Sequence, residues 1–273
     1  MAGADVLRLT ILGCGSSPGT PHITGDWGAC DPANPRNRRS RASALVERIT
    51  AKGRTTVVID TGPDFREQMI RTGVRRLDAA IFTHPHADHI HGIDDLRGYA
   101  LAQRRLMDVH ADKYTMERLQ HGFGYCFETP PGSSYPPILK PVRIAHDVPF
   151  AIEGEGGSLT FAPLPQIHGD ILSLGFRVGD IAYCPDVSDI PPETAARLQG
   201  LDTLVIDALQ YERHPSHLSL EQALGWIDRL KPKNAVLTHM HIPLDYDTVM
   251  RDTPADVVPG FDGMVIEVPA PNN

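Results

Sequence analysis

At 273 residues, with 41% hydrophobic and 22% charged side chains, the chain has enough apolar material for a sizeable core. A formal charge of −8 works against a broad grip on nucleic acid, and no stretch approaches the roughly 20 apolar residues that span a bilayer. No basic leader or small-residue cleavage site opens the chain, and Cys14, Cys30, Cys126 and Cys184 form no Cys-x-x-Cys pair. Both features lead to an expected cytoplasmic setting without disulfides.

Val6–Leu12 reads as a buried strand, followed by strands Ala42–Ile49 and Thr55–Asp60. Val57-Val58-Ile59 is apolar on consecutive residues, which predicts burial on both faces. Pro63 suits the first turn of a helix Pro63–Arg71 after the Gly62 bend. Strands Ala79–Thr83 and Leu106–His110 and a helix Asp112–Phe123 come next. The Pro- and Gly-rich stretch Thr129–Pro141 reads as an exposed loop. Strands Leu159–Leu164, Ser173–Val178 and Ile181–Cys184, a helix Pro192–Leu198 and a strand Thr203–Asp207 follow. Ser219 caps a helix Leu220–Leu230, whose Leu220, Leu224, Ile227 and Leu230 recur at helical spacing before Pro232 ends it. Strands Ala235–Thr238 and Met264–Val268, with a short helix Tyr246–Met250 between them, complete the chain. The pattern predicts two packed sheets with helices outside, in a single domain over 1–273.

Four histidines fall within His84–His91, with Asp88 among them, directly after an apolar strand. A turn at a strand end can aim several side chains inward at once, whereas along a strand alternate residues face opposite sides. His84-Pro85-His86-Ala87-Asp88-His89 therefore reads as a metal-ligand cluster. Imidazoles suit zinc, and the carboxylate also accepts manganese. One cluster cannot fill two coordination spheres. His168, Asp186 and His239 follow apolar strands in the same way. Singly, each is as readily a core or loop residue; their shared context predicts convergence on one rim.

With these motifs the sequence resembles the metallo-β-lactamase superfamily from about Leu7 to His241. The resemblance implies an α/β fold, an αββα sandwich of two mixed sheets holding two divalent metal ions, zinc or manganese, on one edge. Carried over residue by residue, it implies that His84, His86 and His168 hold a first ion. Asp88, His89 and His239 would hold a second, Asp186 would bridge the two, and Asp60 would steady the histidine loop. Two metals about 3.5–4 Å apart can share a hydroxide that is nucleophilic near neutral pH. An oxidoreductase branch of the superfamily carries a carboxylate where this chain has His86, which favours hydrolysis.

Among the hydrolases the chain is similar to the phosphoribosyl 1,2-cyclic phosphate phosphodiesterase family. The likeness rests on Leu12-Gly-Cys-Gly-Ser16, Trp27-Gly-Ala-Cys30, Arg38-Arg39-Ser-Arg-Ala-Ser43, Asp60-Thr-Gly-Pro-Asp64 and His217-Leu-Ser-Leu-Glu221. It implies a small cyclic phosphate of a ribose or nucleotide as substrate, while composition and charge predict no membrane and no long nucleic acid as partner. It also implies a catalytic group of His217, Asp88 and Asp60, with His217 as general acid and His214 as the alternative. The family's early loop carries several cysteines around a separate structural zinc. This chain has Cys30 alone there, so that zinc is not expected, and Cys14 and Cys184 read as small buried residues.

The substrate pocket is less legible. Arg39 and Arg41, in Arg36-Asn-Arg38-Arg39-Ser-Arg41, belong either to a solvated loop or to a phosphate-contacting edge. Arg97 meets either a phosphate or its neighbours Asp94 and Asp95. Phe123, Tyr125 and Phe127 either wall a pocket or belong to the core. Three competing readings remain: a tRNA 3′-processing nuclease, a lactone, thioester or β-lactam hydrolase, and a metal-retaining binding or carrier protein.

Overall fold

The computed structural model describes residues 5–271. Its strands are β1 (Val6–Gly13), β2 (Ser43–Thr50), β3 (Gly53–Ile59), β4 (Ala79–Ile81), β5 (Met107–Ala111), β6 (Leu139–Arg143) and β7 (Phe150–Ile152). They continue as β8 (Leu159–His168), β9 (Ile171–Val178), β10 (Ile181–Cys184), β11 (Thr203–Asp207), β12 (Asn234–Thr238), β13 (Val257–Pro259) and β14 (Val265–Pro269). The helices are α1 (Phe65–Thr72), α2 (Ala87–Ile90), α3 (Arg97–Gln103), α4 (Lys113–Phe127), α5 (Pro192–Arg197), α6 (Leu220–Leu230) and α7 (Tyr246–Asp252).

The strands form two seven-stranded mixed sheets, in the orders β14-β1-β2-β3-β4-β5-β6 and β13-β12-β11-β10-β9-β8-β7. Strands β3 to β6 run parallel, as do β10 to β13, with antiparallel partners on the remaining side. Alternation along β3 explains its continuous apolar run. Val57 and Ile59 enter the core between the sheets, while Val58 enters a second core with Phe65, Leu96 and Met116 from the helical layer. The molecule is thus an α/β sandwich, with helices outside the paired sheets. None of the helices among the described residues is long and apolar enough to cross a membrane.

Several boundaries differ from the sequence reading, and the physical reasons are local. Thr129–Pro141 is not all loop, because Leu139–Pro141 begin β6. Pro141 is tolerated because β6 is an edge strand, where a missing N–H breaks no ladder. Pro163 and Pro165 lie inside β8 past Leu159–Phe161, the residues that pair with β7, and β8 runs on so that His168 is its last residue rather than a loop residue beyond it. Helix α1 starts at Phe65, leaving Pro63 outside, and the Asp64 carboxylate binds Arg41 instead of capping the helix. Helix α4 runs past its expected end to Phe127, across a kink at Phe123. At α6 the expected cap is a full capping box, with Ser219 and Gln222 bonding each other's backbone, worth about 1 kcal/mol.

Candidate metal centre

β3, β4, β8, β10, β11 and β12 all end on one edge of the sandwich, and the chemistry-bearing residues sit at those ends. Three of them, Asp60 (φ 65°), Asp186 (φ 46°) and His239 (φ 57°), have left-handed backbone conformations. Non-glycine residues there cost of order 1–3 kcal/mol each and persist where the surroundings hold them. The bend turns each side chain out of the strand direction and toward the rim. Close packing brings the histidine loop in: a Cβ on Gly62 would lie 2.0 Å from the Asp88 carbonyl oxygen, so only glycine fits there.

Two groups of side chains converge on this edge. His84, His86 and His168 form one; Asp88, His89, Asp186 and His239 form the other, with potential ligand atoms in each group within 4.8 Å of one another. Asp186 links them. Its carboxylate lies 3.2 Å from both His89 Nε2 and His239 Nε2, and 3.8 Å from both His84 Nε2 and His168 Nε2. Asp60 stands behind the second group, accepting from the Thr83 backbone at 2.9 Å, from the Thr83 hydroxyl at 2.8 Å and bonding His89 Nδ1 at 2.8 Å. It thereby fixes the His89 ring and leaves Nε2 facing Asp88 and Asp186. His168 Nδ1 is held in the same manner by the Ser216 carbonyl at 2.6 Å.

The electrostatics show what this arrangement lacks. Burial would raise Asp186 and Asp88, but the imidazoles of His239 and His89 around them hold both carboxyls below the usual range. Burial would lower His239, yet Asp186 and Asp88 raise it to about 9, and burial likewise fails to keep His89 from rising beside Asp186, Asp88 and Asp60. Burial does win at His84, His86 and His168, whose pKa values fall. Asp186 is thus a buried carboxylate and Asp88 a largely covered one, both shifted toward the ionised form among the imidazoles. His84 Nε2, His89 Nε2, His239 Nε2 and Asp186 Oδ1 are all buried without a hydrogen-bond partner despite their closeness. Mixed imidazole and carboxylate donors with unmet lone pairs fit divalent cations such as zinc or manganese.

His217 lies against both groups, its ring 4.6 Å from that of His239 and 4.7 Å from that of His168. Asp207, the last residue of β11, bonds His217 Nδ1 at 2.7 Å and also accepts from the Val187 backbone at 2.9 Å. Nε2 is thus the ring nitrogen that His217 can offer. The sequence reading missed Asp207, although its signal was present: an acid ends an apolar strand, as Asp60 does. His214 is exposed, 5.3 Å from His217 by ring centroid, and bonds Ser216.

The three arginines separate. Arg39 is 2% exposed and gives its guanidinium to the His241 and Leu244 carbonyls and to Asn37 Oδ1. The expected phosphate contact of Arg39 is therefore replaced by a buried clip between the early loop and the segment after β12. Arg41 stays partly exposed on the metal edge, with Nε 3.1 Å from Asp64. Arg97 pairs with Asp94 at 2.9 Å and lines a cleft of about 640 Å³ between α1 and α3, to which none of the clustered histidines contributes. Cys30 is buried, its thiol donating to the Ile242 and Leu244 carbonyls, and Cys14 and Cys184 are buried in the core. Cys126 and Phe127 lie in the helical-layer core with Phe123 packed against it, while Tyr125 is exposed.

The family model described as a beta-lactamase superfamily domain matches residues 55–240, which include Asp60, both ligand groups and the His217–Asp207 pair. A protein of Porphyromonas gingivalis named octanoyltransferase is 33% identical over 94% of this chain; the chain spans about half (51%) of that relative's length. Coenzyme PQQ synthesis protein B of Xanthomonas oryzae pv. oryzae is 25% identical, over 84% of this chain and 86% of its own. Among solved structures, a diphosphatase from the PhnP family is 35% identical, with 98% of each chain covered and a TM-score of 0.85. The chain therefore belongs to the metallo-β-lactamase superfamily of metal-dependent hydrolases, as a PhnP-like member.

Proposed function

We propose that the protein is a dinuclear metal-dependent phosphodiesterase acting on a small phosphate ester of a ribose or nucleotide, such as a cyclic phosphate. His84, His86 and His168 would hold one ion, Asp88, His89 and His239 the other, and Asp186 both. When bound, such ions lower the pKa of water toward neutrality and neutralise phosphoryl charge. Asp60 and the Ser216 carbonyl orient the His89 and His168 rings so that their Nε2 atoms face inward.

The observation that carries the reading is the His217–Asp207 pair set against both ligand groups. Water adds to phosphorus, the bond from phosphorus to the leaving oxygen breaks, and that oxygen takes the proton from His217 Nε2. Asp207 stabilises the protonated imidazole before transfer and keeps Nδ1 occupied, so the proton departs from Nε2. The proton released by the added water restores His217 through solvent. Substrate class is supported by the similarity to a PhnP-family diphosphatase and by a cationic side chain, Arg41, on the same edge. The similarity to the octanoyltransferase covers half of that protein and does not support acyl transfer here.

Metal analysis of the purified protein tests this directly. The wild type is expected to retain two zinc or manganese ions per chain and to hydrolyse bis(4-nitrophenyl) phosphate until chelated. His86→Ala and Asp186→Ala are expected to fold, to lose metal and to lose turnover. Wild-type hydrolysis by either variant removes the site assignment.

A further inference from the structure

We propose that Asp262 is a positioning residue for His239, acting through the backbone of the loop after β1. The inference rests on the reading of His239 as a metal ligand given above; Asp262 itself belongs to neither ligand group.

Asp262 lies between β13 and β14, with its side chain 9% exposed. Each carboxylate oxygen accepts a backbone N–H: Oδ1 that of Cys14 at 3.1 Å, and Oδ2 that of Ser40 at 2.9 Å. Oδ2 also accepts from the Ser40 hydroxyl at 2.6 Å, and Arg71 of α1 lies 3.4 Å from it. One carboxylate thereby joins the loop after β1 to the segment entering β2. The two run close together: a Cβ on Gly13 would sit 2.1 Å from the Arg41 carbonyl oxygen, so only glycine fits there. This accounts for Leu12-Gly-Cys-Gly-Ser16 and for Ser40, sequence features that the ligand groups leave unexplained.

The loop so joined holds the chain beside His239. The Cys14 carbonyl accepts from the Met240 N–H at 2.8 Å, and the Met240 carbonyl accepts from the Ser16 N–H at 3.1 Å. Two residues before His239, the Leu237 carbonyl accepts from the N–H of Gly260, in the same connection as Asp262, at 2.8 Å. His239 is therefore gripped on both sides while its own backbone is left-handed, with φ 57°. A non-glycine residue persists there where neighbours hold it, and the bend aims Nε2 at Asp186 and Asp88, 3.2 and 3.7 Å away. Ring bonds to Asp60 and to the Ser216 carbonyl orient His89 and His168. His239 Nδ1 has no such partner among the described residues, so the aim of this ring depends on its backbone.

Two measurements test the role. Metal-free protein is titrated with Co²⁺ while its d–d absorption is followed, and the step weakened by His239→Ala marks the ion that His239 holds. An amide has one acceptor oxygen, so Asp262→Asn must turn its NH₂ toward the N–H of either Cys14 or Ser40. Loss of an outer support costs about 10- to 100-fold in metal affinity, so Asp262→Asn is expected to weaken that step about tenfold. Ser40→Ala removes one of the bonds to Asp262 but keeps its charge, and is expected to weaken the step about threefold. Asp78→Asn is the control: Asp78 is also buried but precedes β4, at the end of the sheet away from the metal edge. It is expected to leave the step unchanged, whatever it does to thermal melting. Amide exchange in metal-free protein, read by NMR, is expected to quicken at Met240 and Ser16 in Asp262→Asn and Ser40→Ala but not in Asp78→Asn. Wild-type Co²⁺ affinity in both variants, an equal loss in Asp78→Asn, or unaltered exchange at Met240 overturns the role. A loss in Asp262→Asn with Ser40→Ala unchanged also overturns it, since charge alone would then be responsible. If His239→Ala binds Co²⁺ as the wild type does, the ligand assignment falls, and exchange at Met240 still decides whether Asp262 holds this backbone.

Discussion

Asp207→Asn probes the proton-transfer role of His217 with little change in shape. The carboxylate contacts His217 Nδ1 at 2.7 Å in a fully buried position, so the negative charge acts on the imidazole without solvent screening. An amide oxygen still accepts a hydrogen bond, and the ring stays in place. A hydrogen bond to a charged group is worth about 1.5–3 kcal/mol against about 0.5–1.5 for a neutral one, so the variant gives up roughly 1–1.5 kcal/mol of support for the protonated ring. At about 1.4 kcal/mol per tenfold, turnover of a diester with an alkoxide leaving group is expected to fall roughly 5- to 15-fold. Bis(4-nitrophenyl) phosphate releases a phenolate that departs without a proton, and its hydrolysis is expected to change less than about threefold. Single-turnover rates on both substrates, with metal content measured alongside, make the comparison. Equal losses on the two substrates, or a loss that tracks metal content, would refute the role given to the pair.

The remaining predictions address stability and ligand roles. Arg39→Met is expected to destabilise the fold by about 3 kcal/mol in urea unfolding, because the lost guanidinium leaves the buried His241 and Leu244 carbonyls unpaired; a change under 1 kcal/mol would return Arg39 to the substrate side. His110 stacks on Phe150, and burial lowers its pKa to about 4. Between pH 6.5 and 4 the unfolded chain binds a proton that the folded chain refuses, so this contribution is complete above about pH 6.5 and is lost as pH falls toward 4. It amounts to roughly 3 kcal/mol, and His110→Leu is expected to flatten the acid side of the stability profile by that amount; an unaltered profile contradicts the assignment. His217→Ala is expected to keep two metal ions per chain while losing turnover of alkoxide-leaving substrates. Loss of an ion would make His217 a ligand, since it also lies within reach of Asp186 and His168.

Much of the edge was legible in the sequence because its residues share one local signal. His84, Asp186 and His239 each follow an apolar strand, and parallel strand order brings such ends together. Asp207 carried the same signal at the end of its predicted strand, as Asp60 does, but what gives it a role, the contact with His217, is tertiary. The edge strands were harder. β6 contains Pro141 and β13 ends on Pro259; proline argues against a strand until its edge position is known. The fates of Arg39 and Arg41, two residues apart, could not be separated by sequence either. What distinguishes them is tertiary: carbonyls of the segment after β12 surround one guanidinium, while Asp64 takes only the flank of the other.

The central claim is most directly tested by offering the metal-reconstituted protein ribose 1,2-cyclic phosphate, 2′,3′- and 3′,5′-cyclic nucleotides, a lactone and a tRNA precursor in parallel. The account predicts selective, chelation-sensitive cleavage of a cyclic phosphate. Cleavage of the lactone with every phosphate untouched would contradict it and move the protein to carbonyl chemistry.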